Sequence, residues 1–190
     1  MSDEKMILKE TLRDQARKHR ALTDMCHEDV EAATPLFFDT LKPATDKIIA
    51  TYWPKGREFD PTHILETASA KGFTCALPRV SPDSRVLEFI KWTPDLQLRK
   101  GAFGIMEPKA GEAVEPDIFL VPMLAFDRKG QRLGQGGGYY DATLSAYRDK
   151  KDITAVGIAY ALQAVLFTLP VEEHDQAMDY ILTPQGITQY

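Results

Sequence analysis

Most features that announce a site on sight are missing from this sequence. Only two of its 190 residues are cysteine, Cys26 and Cys75. They form no CxxC pair and keep no Cys/His ligand spacing, so zinc is not indicated. Each sits among small or apolar neighbours and is expected to be a buried free thiol in a reducing cytoplasm. No run reaches the ~20 apolar residues of a membrane span, and the opening MSDEKMILKE lacks the apolar stretch of a signal peptide. A cytoplasmic chain with no membrane partner is the expectation. A basic surplus is missing too: 23 Lys and Arg against 28 Asp and Glu leave a net charge of −5. That argues against nucleic acid as a partner, and any anion must be held by a local cluster. The four histidines, His19, His27, His63 and His174, form no visible catalytic constellation, and no Ser-His-Asp or Cys-His arrangement is suggested.

What is present is an ordinary globular composition, 44% hydrophobic and 27% charged. It suits one folded domain over residues 1–190 with a substantial core. Leu8, Leu12 and Ala16 recur at helical spacing and predict a helix over 3–22, with Ser2 or Asp3 as cap. A second helix is expected over 27–41, disturbed at Pro35. KIIATYW (47–53) reads as a strand, and Asp60-Pro61 opens a helix that Gly72 closes. FTCAL (73–77) and VLEFIKW (86–92) are further strands, the second alternating and so exposed on one face. DIFLVP (117–122) has the continuous apolar character of a buried strand. YYDATLSAYR (139–148) can be a helix, and ITAVGIAY (153–160) and DYIL (179–182) complete the strands. This alternation predicts an open, mostly parallel α/β sheet with helices on both faces, a three-layer α/β/α architecture. Ligands in such sheets sit beyond the carboxyl ends of strands.

RLGQGGGYYD (132–141) lies at such a place, after one strand and before a helix. Glycine is costly in conformational entropy, so this cluster needs a tight turn or a ligand that approaches the backbone. A Walker A loop is ruled out because the chain has no Gly-Lys pair, and GxGxxG fails because Tyr139 stands where glycine is needed. Glycine amides can still converge on an anion, with the helix terminus behind them and the Arg132 guanidinium able to take a phosphate bidentately. Asp141 would repel phosphate unless Mg²⁺ lay between them. The competing reading is a glycine-rich connection whose Asp141 favours the first turn of a helix.

Read as a whole, VPMLAFDRKGQRLGQGGGYYD (121–141) resembles the signature of the 5-formyltetrahydrofolate cyclo-ligase, or 5,10-methenyltetrahydrofolate synthetase, family. Lys9-x-x-Leu12-Arg13, the stretch from Trp53 to Glu58, Phe103-Gly-Ile-x-Glu-Pro108 and LPVEEHDQAMDYILTP are similar to its other motifs, in the same order. Met123 departs from the glycine common in the family, and Ala142 from an arginine frequent in bacterial members. Gln135 fills a variable slot.

The resemblance implies a magnesium-dependent ligase that uses ATP to cyclise 5-formyltetrahydrofolate to 5,10-methenyltetrahydrofolate, and a monomer is expected. It makes Lys9 and Arg13 ATP contacts, where the residues alone favour a solvated helix face balanced by Glu10 and Asp14. Arg17 is left undecided. Arg132, Leu133, Gly134, Gln135, Gly136, Gly137, Gly138, Tyr139 and Tyr140 would wrap the nucleotide phosphates. Gln135 to Tyr139 would also border the folate, with Trp53 as an apolar wall and Glu58 accepting N–H bonds from the pterin. Arg132 and Tyr139 are the expected catalytic pair, Tyr139 lying against the formyl group or pterin. Asp141 and Asp175 are implied as metal ligands. Taken without the resemblance, Tyr139 and Trp53 read as core aromatics and Asp175 as a loop acid. Another phosphate-handling enzyme on a related sheet, or a non-catalytic folate- or nucleotide-binding protein, are the alternative functions.

Overall fold

The computed structural model describes residues 2–22 and 28–190; Cys26 and His27 lie outside them. Helix α1 (Ser2–Leu22) opens the chain, and α2 (Ala33–Leu41) follows a single 3-10 turn. The helix expected over 27–41 therefore starts later, and Pro35 occupies its first turn. A missing N–H is harmless there, so the proline marks the beginning of the helix and disturbs nothing.

Strand β1 (Ile48–Ala50) leads through α3 (Thr62–Ala70) to β2 (Thr74–Arg79). The carboxylate of Asp60 starts α3 by accepting from the Thr62 amide at 2.9 Å and its hydroxyl at 2.7 Å. The chain then runs through β3 (Glu88–Trp92), a hairpin of β4 (Leu98–Lys100) and β5 (Met106–Pro108), and the short β6 (Ala113–Val114). Next come β7 (Ile118–Pro122), a small hairpin of β8 (Ala125–Phe126) and β9 (Arg132–Leu133), and α4 (Tyr139–Arg148). Strands β10 (Thr154–Ile158), β11 (Tyr180–Thr183) and β12 (Gly186–Gln189) close the described chain.

Eight strands form one sheet in the order β12-β11-β10-β7-β1-β2-β3-β6. Five neighbouring strands are parallel, β3 and β12 run antiparallel to them on either side, and β6 pairs antiparallel with β3 at the edge. Strand β3 departs from the expected alternation: Phe89, Ile90 and Trp92 are all buried and only Lys91 is exposed. It lies between β2 and β6 with cover on both faces, and the alternating pattern expected of a half-exposed strand does not apply.

The chain leaves β1 in two directions, to β2 through α3 and, on the far side of β1, from β7 to β10 through α4. Right-handed crossovers that progress in opposite directions put their helices on opposite faces. Accordingly Ile49, Cys75, Leu77, Leu120 and Val156 pack with Phe37, Ile64 and Leu65 of α2 and α3. Their strand neighbours Ala50, Ala76, Phe119, Val121 and Ala155 pack with Leu144 and Tyr147 of α4. Burial holds the Cys75 thiol inert, pushing its pKa up to about 12. Helix α1 lies against the β8–β9 hairpin, with Leu12 and Ala16 on Ala125, Leu133 and Leu169. Among the described residues no helix is long and apolar enough to cross a membrane.

Candidate active site

The junction of β1 and β7 is where the strand order reverses, and the carboxyl ends of such strands leave a crevice. A cavity of about 640 Å³ opens there, bordered by Tyr52 and Trp53 after β1, Pro78 and Val80 at the end of β2, and Pro122 at the end of β7. Lys9, Arg13, Trp53, Glu58, Asp175 and the whole stretch from Arg132 to Asp141 border the same cavity. Residues more than a hundred positions apart in the chain thus face one space.

The glycines earn their place by backbone geometry. Gly136 and Gly138 take φ of +101° and +70°, a region closed to most side chains. Gly138 is also the residue before α4, which has no side-chain cap. Its first amides are left open, as an anion requires. The loop is fixed from both sides. Asp127, buried, accepts from the amides of Lys129 at 2.8 Å, Gln131 at 3.1 Å and Leu169 at 2.9 Å. From α1, Arg13 donates to the Gly134 carbonyl and Arg17 to the Gln135 carbonyl, both at 3.1 Å.

Charges at the floor of the cavity are paired with one another. Lys9, only 4% exposed, lies 2.7 Å from Glu172 and 2.5 Å from Asp175. The solvated-face alternative therefore fails at Lys9. Glu10 and Asp14 are instead the partners of Arg13 and Arg17, and the two arginines hold Glu10 below the usual carboxylate range. Arg17 sits on the loop's outer side, away from the cavity lining. Arg132 gives Nη2 to Asp141 at 2.7 Å, while its buried Nε has no partner. An orphaned guanidinium donor beside uncapped amides is a place for an anionic oxygen.

Asp141, in the first turn of α4, also accepts from the Gln176 amide at 3.0 Å, which draws the 172–176 turn against it. Glu172, His174 and Asp175 can present ligand atoms within 4.8 Å of one another. Carboxylate oxygens are the donors magnesium prefers, so Glu172 and Asp175, with Asp141 beside them, fit that ion. Glu172 was not singled out by sequence reasoning; its spacing from Asp175 across a turn was the available signal. Lys9 holds its carboxyl below the ordinary range through the hydrogen bond between them.

The opposite wall is aromatic. Tyr139 and Phe103 meet edge to face, 5.9 Å between centroids and 70° between planes. Phe103 is left-handed at φ 58° yet 65% exposed, and Lys55 Nζ donates to its carbonyl. A non-glycine residue held in this region costs on the order of 1 kcal/mol. Its hairpin is pinned by Glu107, which takes Arg99 at 3.0 Å and the Val80 amide at 3.1 Å. The motif Phe103-Gly-Ile-x-Glu-Pro108 had marked this stretch in the sequence, but it gave the ring no role. Glu58 accepts from Gln135 Nε2 at 3.3 Å and from the Lys55 amide at 3.0 Å. Tyr140 buries its hydroxyl without a partner; burial and then the Glu58 charge raise its pKa, against the pull of Arg132. Trp53 packs partly on the core and partly borders the cavity. Tyr139 likewise contacts the α4-side core.

A sequence profile of the 5-formyltetrahydrofolate cyclo-ligase family matches residues 2–184. The chain belongs to this family. It is 34% identical over 182 residues to the 5-formyltetrahydrofolate cyclo-ligase of Haemophilus influenzae, covering 92% of this chain and 96% of that one. The Escherichia coli cyclo-ligase is 32% identical over 183 residues, covering 92% and 98%. The fold superposes on the 5,10-methenyltetrahydrofolate synthetase of Aquifex aeolicus with a TM-score of 0.74 at 30% identity, over 96% of this chain and 92% of that one. With the synthetase of Mycoplasma pneumoniae the TM-score is 0.71 at 23% identity, which speaks to fold alone. Membership in a cyclo-ligase family makes the protein a ligase of folate metabolism. The departure at Met123 is accommodated locally: its methyl group occupies space beside Gly157, where a Cβ would come within 2.1 Å. Gln163 donates to the Met123 and Leu124 carbonyls at 2.7 and 3.1 Å and holds the backbone there.

Proposed function

We propose that the protein uses phosphoryl transfer from ATP to drive the cyclisation of 5-formyltetrahydrofolate, giving 5,10-methenyltetrahydrofolate, ADP and phosphate. The observation that carries this reading is a single cavity in which a cationic glycine loop faces an aromatic wall bearing a carboxylate. The chain acts as one cytoplasmic, monomeric domain in this account.

Ring closure must expel the formyl oxygen, a poor leaving group. That oxygen attacks the γ-phosphorus and ADP departs, leaving an iminium phosphate. N10 then attacks the formyl carbon and loses its proton, and the C–O bond breaks to release phosphate with the original formyl oxygen. The protein supplies position and charge. Lys9, Arg13, Arg132 and the amides of Gly134 to Tyr140 hold the phosphates. Arg132, with a free donor on a buried guanidinium, stabilises the transferring group. Tyr139 lies against the formyl group and pterin, with Phe103 and Trp53 completing the apolar enclosure. Glu58 accepts N–H bonds from the pterin, held ready by Gln135 and the Lys55 amide. Asp141 and Asp175 would hold magnesium, which neutralises phosphate charge when bound.

Substrate labelled with ¹⁸O in the formyl group tests this sequence. The label is expected in inorganic phosphate, one atom per turnover. Label released as water would overturn phosphorylation of the formyl oxygen.

A further inference from the structure

The ionic groups of the cavity floor already satisfy one another. Lys9 is shared between Glu172 and Asp175, and Arg132 is held by Asp141. One short turn joins the two pairs: the Glu172 amide donates to Asp175 at 2.7 Å, and the Gln176 amide donates to Asp141 at 3.0 Å. The side chains of Lys9 and Arg132 are 5% and 6% exposed, so neither charge can fall back on water.

This arrangement penalises either ligand arriving alone. A phosphate that draws Lys9 away leaves Glu172 and Asp175 unpaired and adds negative charge beside them. A divalent cation that takes the carboxylates leaves Lys9 and Arg132 unpaired and adds positive charge. An unpaired charge in a largely buried setting is strongly unfavourable. If both arrive together, Lys9 and Arg132 exchange carboxylate for phosphate, Asp141 and Asp175 exchange them for the cation, and Glu172, whose side chain is 21% exposed, is left to water.

Resting on the reading of this cavity as a magnesium–nucleotide site, we propose that Glu172 makes nucleotide binding depend on the cation, by holding Lys9 from phosphate until the cation takes Asp175. Lys9 passes from Glu172 and Asp175 to phosphate as the cation takes carboxylate. Glu172 is the positioning residue that sets the threshold: Lys9 is the only side chain bound to its carboxylate among the described hydrogen bonds, and it tethers Lys9 while Asp175 serves both states.

The test is calorimetric and needs no turnover. Adenylyl imidodiphosphate is titrated into wild type and Glu172→Gln, each in magnesium chloride and in EDTA, and the affinity ratio between the two conditions is taken. Magnesium's own affinity for the nucleotide is common to both proteins and cancels when the ratios are compared. Glu172→Gln is expected to bind metal-free nucleotide more tightly and to reduce the ratio on the order of fivefold, the scale of one partly exposed ion pair. Glu172→Asp keeps the charge and should keep a ratio close to wild type. An unchanged or larger ratio in Glu172→Gln, or a loss confined to magnesium-bound nucleotide, would overturn the exchange; the latter would make Glu172 a direct ligand of the cation. Wild type that binds the nucleotide in neither condition would instead remove the nucleotide reading on which the exchange rests.

Discussion

The two sides of the cavity are prepared in opposite ways. At the floor, Lys9, Arg132, Asp141, Glu172 and Asp175 are locked in short ionic contacts between buried or half-buried side chains. On the wall, Phe103 is exposed and left-handed, and the Tyr140 hydroxyl is buried without a partner. The floor is a set of charges stored against one another, which a ligand must rearrange. The wall is a set of surfaces and donors not yet used, which a ligand completes. In the proposed reaction, phosphoryl transfer would draw on the first, because its catalysis is chiefly charge placement. Holding a flat bicyclic ring would draw on the second.

If the contrast is right, the largest effect comes from the floor. Arg132→Met should lower kcat/KM by about a hundredfold or more, the scale for losing one oriented charge donor. A loss under tenfold in steady-state kinetics would make Arg132 merely a partner for Asp141. The scaffold beneath the loop comes next. Asp127→Ala orphans three amides and should cost about 1–3 kcal/mol in denaturant unfolding. Changing the wall should separate binding from stability. Phe103→Gly removes both ring and strained conformation, so the folate KM should rise about tenfold, the scale of losing one aromatic packing surface. Its KM for ATP should stay constant and its melting temperature should not fall. A parallel rise in both Michaelis constants would erase the division between floor and wall.

The smallest effect should come from a charge pair with no ligand to serve. Asp117, at the opposite, amino-terminal end of the central strands, accepts from the Ile48 amide at 2.9 Å and from Lys151 at 3.1 Å. Burial works to raise its pKa, but these contacts and the nearby Lys47 hold it below the ordinary 3.8. Its stabilisation is therefore complete above that value and lost as pH falls through the depressed pKa. Asp117→Asn should cost less than about 1 kcal/mol at neutral pH, with the gap to wild type closing on acidification. A gap that widens in acid would reverse the sign of this linkage.

The sheet was legible in sequence wherever one strand is buried on both faces, as DIFLVP is, or one helix carries its own start, as Asp60-Pro61 does. Edge elements such as β6, β8 and β9 are two residues each, too short for any period to register. The glycine stretch was legible because its clustering signals backbone angles that most side chains resist, as Gly136 and Gly138 adopt. Lys9 could be placed on a helix face, but its burial depends on Glu172 and Asp175, more than 160 positions away, and no local pattern encodes that. Phe103 opens a recognised motif, but its place in the wall was hidden for a related reason: its backbone conformation is imposed by a hairpin that Glu107 holds from outside the loop.

The most direct test follows the near-ultraviolet absorbance of methenyltetrahydrofolate after mixing the protein, 5-formyltetrahydrofolate and magnesium, with and without ATP. The account predicts a rise only with ATP, matched mole for mole by ADP. Tight binding of both ligands with no rise, under conditions where another member of the family turns over, would contradict it and leave a binding protein on a cyclo-ligase fold.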